Sequence, residues 1–248
     1  MLSRIHHWFP RSLRWKVKRL LGRGDMPIHQ ELQMIDFRRG SRTVFDVGAN
    51  RGNFAATILL GAPLSQVHCF EPNPELFPQL KAKCESFGLE QGMPRAIPNG
   101  VGVGSQPGTL ELIVTNFAAA SSMLPIADAS REGWPKADFG VRARVPVPVI
   151  TIQDYAAANG IADARLLKMD VQGFELEVLR GCGDFLSNID YVYAEIQFAP
   201  LYEGAPVWTD LLRYLKEKGF RAEIMGGICL GPNSEPLCAD LLWRNERR

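Results

Sequence analysis

Val44-Phe45-Asp46-Val47-Gly48-Ala49-Asn50-Arg51-Gly52-Asn53-Phe54 is the stretch on which the fold turns. A short apolar strand runs into a turn with two glycines, and from Asn53 the apolar residues take helical spacing. In an open α/β sheet a ligand sits outside the carboxyl ends of the strands, over this first turn. Gly48 lets the chain turn tightly against such a ligand, and Gly52 lets the helix start close to the strand. Outward from this stretch, short β-branched runs alternate with longer helix-like ones, the habit of a parallel sheet covered by helices. Strands are expected at 43–47, 67–70, 96–103, 166–170, 191–196, near 222–225 and at 239–243, and helices at 53–60, 75–87, 174–180 and 207–218. Residues 109–152 break the rhythm: 110–114 is strand-like, 118–122 is a patch of small residues, and 145–149 alternates valine with proline. We read this segment as an elaboration over one edge of the sheet and not as a second domain. The expected fold class is α/β, a Rossmann-like, seven-stranded, mostly parallel sheet with helices on both faces, over residues 41–248. A basic helical extension at 1–40 precedes it.

The second strand ends His68-Cys69-Phe70-Glu71-Pro72-Asn73-Pro74, placing Glu71 nineteen residues after Gly52. An acid at this point is where a carboxylate binds the ribose hydroxyls of a nucleoside cofactor. The middle glycine of the dinucleotide fingerprint is Asn50 here. That glycine lets the backbone approach a pyrophosphate, and S-adenosylmethionine has none, so the departure favours this methyl donor over a nicotinamide cofactor. The candidate donor-binding residues are Asp46, Gly48, Asn50, Gly52, Glu71, Pro72 and Asn73. Ordinary turn glycines and a solvated loop acid are the plain alternative.

Further on comes Leu167-Lys168-Met169-Asp170-Val171-Gln172-Gly173-Phe174-Glu175-Leu176-Glu177-Val178-Leu179-Arg180-Gly181. Val149-Ile150-Thr151-Ile152-Gln153-Asp154 precedes it, and Ala194-Glu195-Ile196-Gln197-Phe198-Ala199-Pro200-Leu201-Tyr202-Glu203-Gly204 follows. Together these pieces resemble the FkbM-type methyltransferase family, whose signature is an apolar strand, Asp-Val-Glu-Gly, and a helix reading Glu-x-Glu-Val-Leu-x-Gly. The likeness runs over about residues 43–243, nearly the whole body. It implies a class I methyltransferase fold, S-adenosylmethionine as donor, and methyl transfer usually to oxygen, often on a sugar, a glycan or a sugar-bearing natural product. Gln172 stands where the family usually carries glutamate. If that acid helps a metal or a base, Asp170 acts here without it, while the Gln172 amide can still hydrogen-bond a substrate hydroxyl. The departure also keeps open a non-catalytic donor-binding module. A nicotinamide-dependent oxidoreductase is the other alternative, opposed by Asn50.

Methyl transfer from a sulfonium is an in-line displacement, so such an enzyme holds acceptor oxygen and methyl carbon in near-attack geometry and excludes water. A neutral alcohol must still lose its proton. The four histidines, His6, His7, His29 and His68, all lie in the first third of the chain, before the later strands. Strand-end carboxylates are better placed, and Asp170 and Glu195 are the candidate catalytic residues. Asp170 could instead cap the helix beginning near Phe174, and a glutamate on a doubly covered sheet needs a partner. Gln172, Tyr202, Ser121 and Ser122 are the candidate acceptor-binding residues, with ordinary loop polarity as the alternative. Magnesium held by Asp170, Glu195 and a further oxygen would suit a hard cation, whereas no His/Cys cluster suggests zinc. No metal ligand is assigned.

The composition, 46% hydrophobic and 22% charged over 248 residues, is that of a globular chain with a sizeable core. Its formal charge of +1 hides an asymmetry. The first 24 residues carry seven basic side chains and no acid, whereas residues 25–248 carry 21 basic against 27 acidic ones. An acidic body argues against nucleic acid as partner, since phosphate binding needs a basic stripe; a small-molecule or glycan acceptor is what the family resemblance implies. Five cysteines without a C-x-x-C spacing fit a reducing compartment such as the cytoplasm. In the head, Leu13, Val17 and Leu20 share helical spacing among Arg14, Lys16, Lys18 and Arg19, with Trp8, Phe9 and Trp15 nearby. Residues 1–24 could dock peripherally on the anionic inner face of a membrane, or pack on the body or on a partner subunit. The oligomeric state is not specified at this level.

Overall fold

The computed structural model describes residues 30–248, so the basic head and its membrane-docking reading lie outside the described residues. From the first glycine turn the chain builds β1 (Thr43–Val47), α1 (Asn53–Gly61), β2 (Gln66–Phe70), α2 (Phe77–Glu85), the hairpin β3 (Leu89–Glu90) and β4 (Met93–Pro94), and β5 (Ala96–Asn99). There follow β6 (Gly102–Val103), β7 (Gly108–Thr115), α3 (Asp128–Gly133), β8 (Val141–Ile150), α4 (Ile152–Ala158), β9 (Ala164–Met169) and α5 (Glu175–Gly181). The last elements are β10 (Ile189–Gln197), α6 (Trp208–Glu217), β11 (Phe220–Leu230) and β12 (Pro236–Asn245). Seven strands form the main sheet in the order β11-β12-β10-β9-β1-β2-β5. All pairs are parallel except those of β12, which runs antiparallel to both β10 and β11. The chain winds outward from β1 in one direction through β2 and β5, then in the other through β9 and β10. The strand order therefore reverses beside β1, and a crevice opens there at the carboxyl ends.

The apolar runs of the central strands follow from burial on both faces. Val44 and Leu166 face a core shared with Ala55, Ile58 and Leu80, while Phe45, Leu167 and Val192 face another shared with Val178, Leu179 and Leu215. Leu32, Ile35 and Phe37 pack into the first of these cores, so the described end of the extension is joined to the body. Among the described residues no helix is long and apolar enough to cross a membrane.

Three expectations are corrected. The strand expected at 96–103 is two strands in two sheets: β5 closes the main sheet, and β6 leaves it to pair with β8 in a three-stranded sheet of order β6-β8-β7. The break falls at Asn99-Gly100, a turn-forming pair where Gly100 also admits the Phe77 ring. The last two strands are far longer than expected, because they form a hairpin joined by a tight turn at 231–235. The 109–152 segment springs from the β5 edge but does not stay there. Ala120, Ile126 and Phe139 from it pack with Leu201, Tyr202, Leu237 and Cys238, making a roof over the carboxyl ends of the strands.

Candidate functional site

Between the strand ends and this roof lies a cavity of about 400 Å³. At one end the turn after β1 approaches β9 so closely that a side chain on Gly48 would place its Cβ 1.9 Å from the Asp170 carbonyl oxygen. Gly48 also has φ +73, so only glycine serves there. The Gly48 and Ala49 N–H groups donate to the Phe70 carbonyl at 3.0 and 2.9 Å, locking the turn against β2. Glu71 accepts from the Asn50 N–H at 2.8 Å and from the Asn73 N–H at 2.9 Å. Burial pushes its pKa up, and these two bonds oppose the rise. Asn73 accepts from the Glu75 N–H through Oδ1, which leaves its Nδ2 without a protein partner in the cavity wall. Gly48, Asn50, Glu71, Pro72 and Asn73 thus come together at the cavity. Gly52 and Asp46 do not line it. A Cβ on Gly52 would meet Leu80 and Lys83, so this glycine lets α2 approach the start of α1.

Asp46 lies fully buried behind the turn, and its partner was not anticipated. The register sets it opposite Lys168 of β9, whose Nζ is 3.0 Å from Asp46 Oδ1. That ammonium also donates to the carbonyls of Gly48 at 2.8 Å and Val47 at 3.3 Å, and stands 4.0 Å from Asp170 Oδ2. Burial raises the pKa of Asp46 against the pull of Lys168. Burial by itself would lower that of Lys168, yet Asp46, Asp170 and Glu71 together hold it above its ordinary value. The one available signal was a lysine between Leu167 and Met169 in a doubly covered strand, which needs a buried anion.

At the other end Asp170 follows β9 with its side chain 47% exposed. Gln172 sits beside it with φ +55 and ties the acceptor-end residues together. Its Nε2 donates to Asp170 Oδ1 at 2.6 Å and to Glu195 Oε2 at 3.1 Å, and its Oε1 accepts from the Tyr202 hydroxyl at 2.6 Å. The amide expected to meet substrate is therefore engaged by protein groups. Ser122 Oγ donates to the Gln172 carbonyl at 2.7 Å and accepts from the Leu124 N–H, while Ser121 Oγ accepts from the Thr115 N–H. Both serines line the cavity and shape the roof loop. Glu175, not Asp170, satisfies the backbone before α5, accepting from Val171 and Gly173. Burial takes the Glu175 pKa to about 7 despite those bonds. Glu195 is pushed up to about 8, by burial first and then by the carboxylates of Asp170, Glu175 and Asp240. Among the described residues no three His, Cys, Asp or Glu side chains converge as a metal site. Gln172 Nε2 occupies the gap between the Asp170 and Glu195 carboxylates, where a shared magnesium would sit, so that expectation does not fit. His68 is buried in the core, 2.9 Å from the Tyr155 hydroxyl, with its pKa lowered to about 4 by burial.

The family model of the methyltransferase FkbM domain matches residues 46–222. The 2-O-methyltransferase NoeI of Sinorhizobium fredii is 26% identical over 186 residues, covering 72% of each chain. The hexuronic acid methyltransferase AglP of Haloferax volcanii is 24% identical, covering 73% of this chain and 65% of its own length. The 31-O-demethyl-FK506 methyltransferase FkbM of Streptomyces tacrolimicus is 31% identical, covering 60% of this chain and 62% of its own. A crystal structure of methyltransferase FkbM from Methylobacillus flagellatus shares the fold, with a TM-score of 0.51 at 17% identity over 86% of this chain and 48% of that one. The match runs from Asp46 in β1 to Ala222 and takes in the glycine turn, Glu71 and the Asp170–Glu195 cluster: the chain belongs to the FkbM methyltransferase family, S-adenosylmethionine-dependent enzymes on a class I fold.

Proposed function

We propose that the chain transfers the methyl group of S-adenosylmethionine to a hydroxyl oxygen of a sugar, a glycan or a glycosylated natural product. The observation that carries this is one cavity joining two chemistries, with Glu71 and Asn73 at one end and Asp170, Gln172, Glu195 and Tyr202 at the other. The names of the relatives, two of them O-methyltransferases by position and one a hexuronic acid methyltransferase, support oxygen as the acceptor atom.

The residues present fit the donor. Glu71 offers a carboxylate to a ribose diol, the Asn73 amide has a free donor in the wall, and the Gly48 turn allows close approach. When bound, S-adenosylmethionine supplies an electrophilic methyl on a sulfonium. Asp170 takes up the acceptor's proton as its oxygen attacks. Gln172, held by Glu195 and Tyr202, fixes the Asp170 carboxylate, and the roof residues Ser121 and Ser122 bound the acceptor and keep out water.

Glu71→Ala should raise the donor dissociation constant tenfold or more, roughly the loss of one charged hydrogen-bond acceptor. Isothermal titration of a variant shown by circular dichroism to be folded is the measurement, and unchanged affinity would remove Glu71 from the donor site.

Glu195 supports a pH expectation. Its pKa near 8 exceeds the ordinary 4.5, so between those values the native state keeps a proton that the unfolded chain releases. The associated stability is complete below the unfolded value and is lost as pH rises through the folded one. Glu195→Gln should flatten that decline, gaining on the parent by on the order of 1–3 kcal/mol in going from pH 5 to pH 9. Urea midpoints across that range test it; parallel profiles would mean that Glu195 is already ionised in the native protein.

A further inference from the structure

The cavity that would hold the acceptor carries one sign of charge. Among the described residues, Glu71, Asp170 and Glu195 line it, and no lysine, arginine or histidine does. Lys168, the near cation, lies beneath the wall, paired with Asp46 and donating to the Val47 and Gly48 carbonyls. Arg142 of β8 is paired with Glu75. The roof and its surroundings are apolar, with Leu112, Phe117, Met123, Trp134, Phe139 and Leu201 in the lining.

The donor brings a sulfonium, an ammonium and a carboxylate, a net single positive charge. Asp46 and Lys168 cancel, so Glu71 and Asp170 leave the loaded cavity negative before any acceptor enters. Glu195 registers this environment: burial and the neighbouring carboxylates hold its proton to about pH 8. A substrate carboxylate or phosphate beside it would meet the same burial and repulsion, with no cation in the described wall to offset them. A hydroxyl compound with an aliphatic face would instead cover the apolar roof and offer its proton to Asp170.

We infer that the acceptor unit is an uncharged hydroxyl compound with an apolar face, and that hexuronates and phosphorylated sugars are rejected. This rests on the methyl-transfer reading above, with the acceptor in this cavity. It sets the chain apart from the relative named for hexuronic acid.

The test incubates the full-length protein and isotope-labelled S-adenosylmethionine with an extract of cells that carry the gene. Products are first separated from unreacted donor, itself a cation, then hydrolysed to their monomer units, so that charge elsewhere on a larger acceptor does not count, and passed over anion and cation exchangers in turn. At least tenfold more label should pass both columns than is retained on either. Label held mainly by the anion exchanger overturns the inference while leaving methyl transfer standing, and label held mainly by the cation exchanger overturns the uncharged assignment. No label in any fraction, from protein that binds the donor in calorimetry, overturns the methyl-transfer reading and the inference with it.

Discussion

Lys168→Met should destabilise the protein by about 3–5 kcal/mol, the cost of leaving a buried charge without its partner. For a domain of this size that corresponds to a fall in thermal midpoint of about 10 °C. Methionine keeps the length and packing of the side chain against Phe54, whose ring centroid lies 5.6 Å from the ammonium, so the loss would reflect charge more than volume. The Asp46 carboxylate loses its ion pair and the Gly48 carbonyl its side-chain donor, and the Val47 carbonyl is left with the Asp170 N–H alone. Those carbonyls belong to the turn under the donor, so donor affinity should fall along with stability. Pairing Lys168→Met with Asp46→Asn removes the orphaned charge and should recover more than half of the lost stability. Melting curves of the two variants decide it. If the single variant melts with the parent, Asp46 is neutral in the native protein and the ion pair does not hold the turn.

The contrast between Gly48 and Gly52 shows how far local chemistry can be read. Both glycines have positive φ, and both fit the pattern of a ligand-binding turn. Gly48 answers to Asp170, where the β1 turn crosses the end of β9, and it lines the cavity as a ligand-site glycine would. Gly52 answers to Leu80 and Lys83, about thirty residues on, and so serves helix packing. The same holds at the acceptor end. Asp170 and Glu195 were legible as strand-end acids, because the alternation of strands and helices fixes where strands end. That Gln172 bridges them was not, since Glu195 lies 23 residues and Tyr202 30 residues away, and only the paired β9 and β10 bring them together. Lys168 was hidden for a related reason: the cross-strand register with Asp46 explains it, and register is not written in either strand alone. The roof was hardest, because runs of alanine and of valine with proline carry neither a helical nor a clean alternating period.

Asp170→Asn should lower turnover by about 10²–10⁴-fold, the usual worth of general acid–base catalysis, with little change in donor affinity. The Asp170 N–H donates to the Val47 carbonyl at 3.1 Å, which pins the residue beside the turn that would carry the donor. Its carboxylate is free for chemistry because Glu175 takes the backbone groups that a capping aspartate would otherwise satisfy. Gln172 fixes Oδ1, Oδ2 stands 4.0 Å from the Lys168 ammonium, and the side chain, 47% exposed, lines the cavity. Asparagine preserves the shape and the link to Gln172 but cannot accept the proton of the attacking hydroxyl. The loss should therefore appear in kcat at saturating donor, measured as methyl incorporation into an acceptor by protein whose fold is confirmed by circular dichroism. A chelator should leave the parent's turnover unchanged, since the Gln172 amide fills the gap that a bridging cation would need; collapse in chelator and recovery with added magnesium would show that Gln172 swings aside for a metal. Near-normal turnover by Asp170→Asn would move proton acceptance to Glu195, and the rate should then rise as pH passes about 8, where that carboxyl ionises.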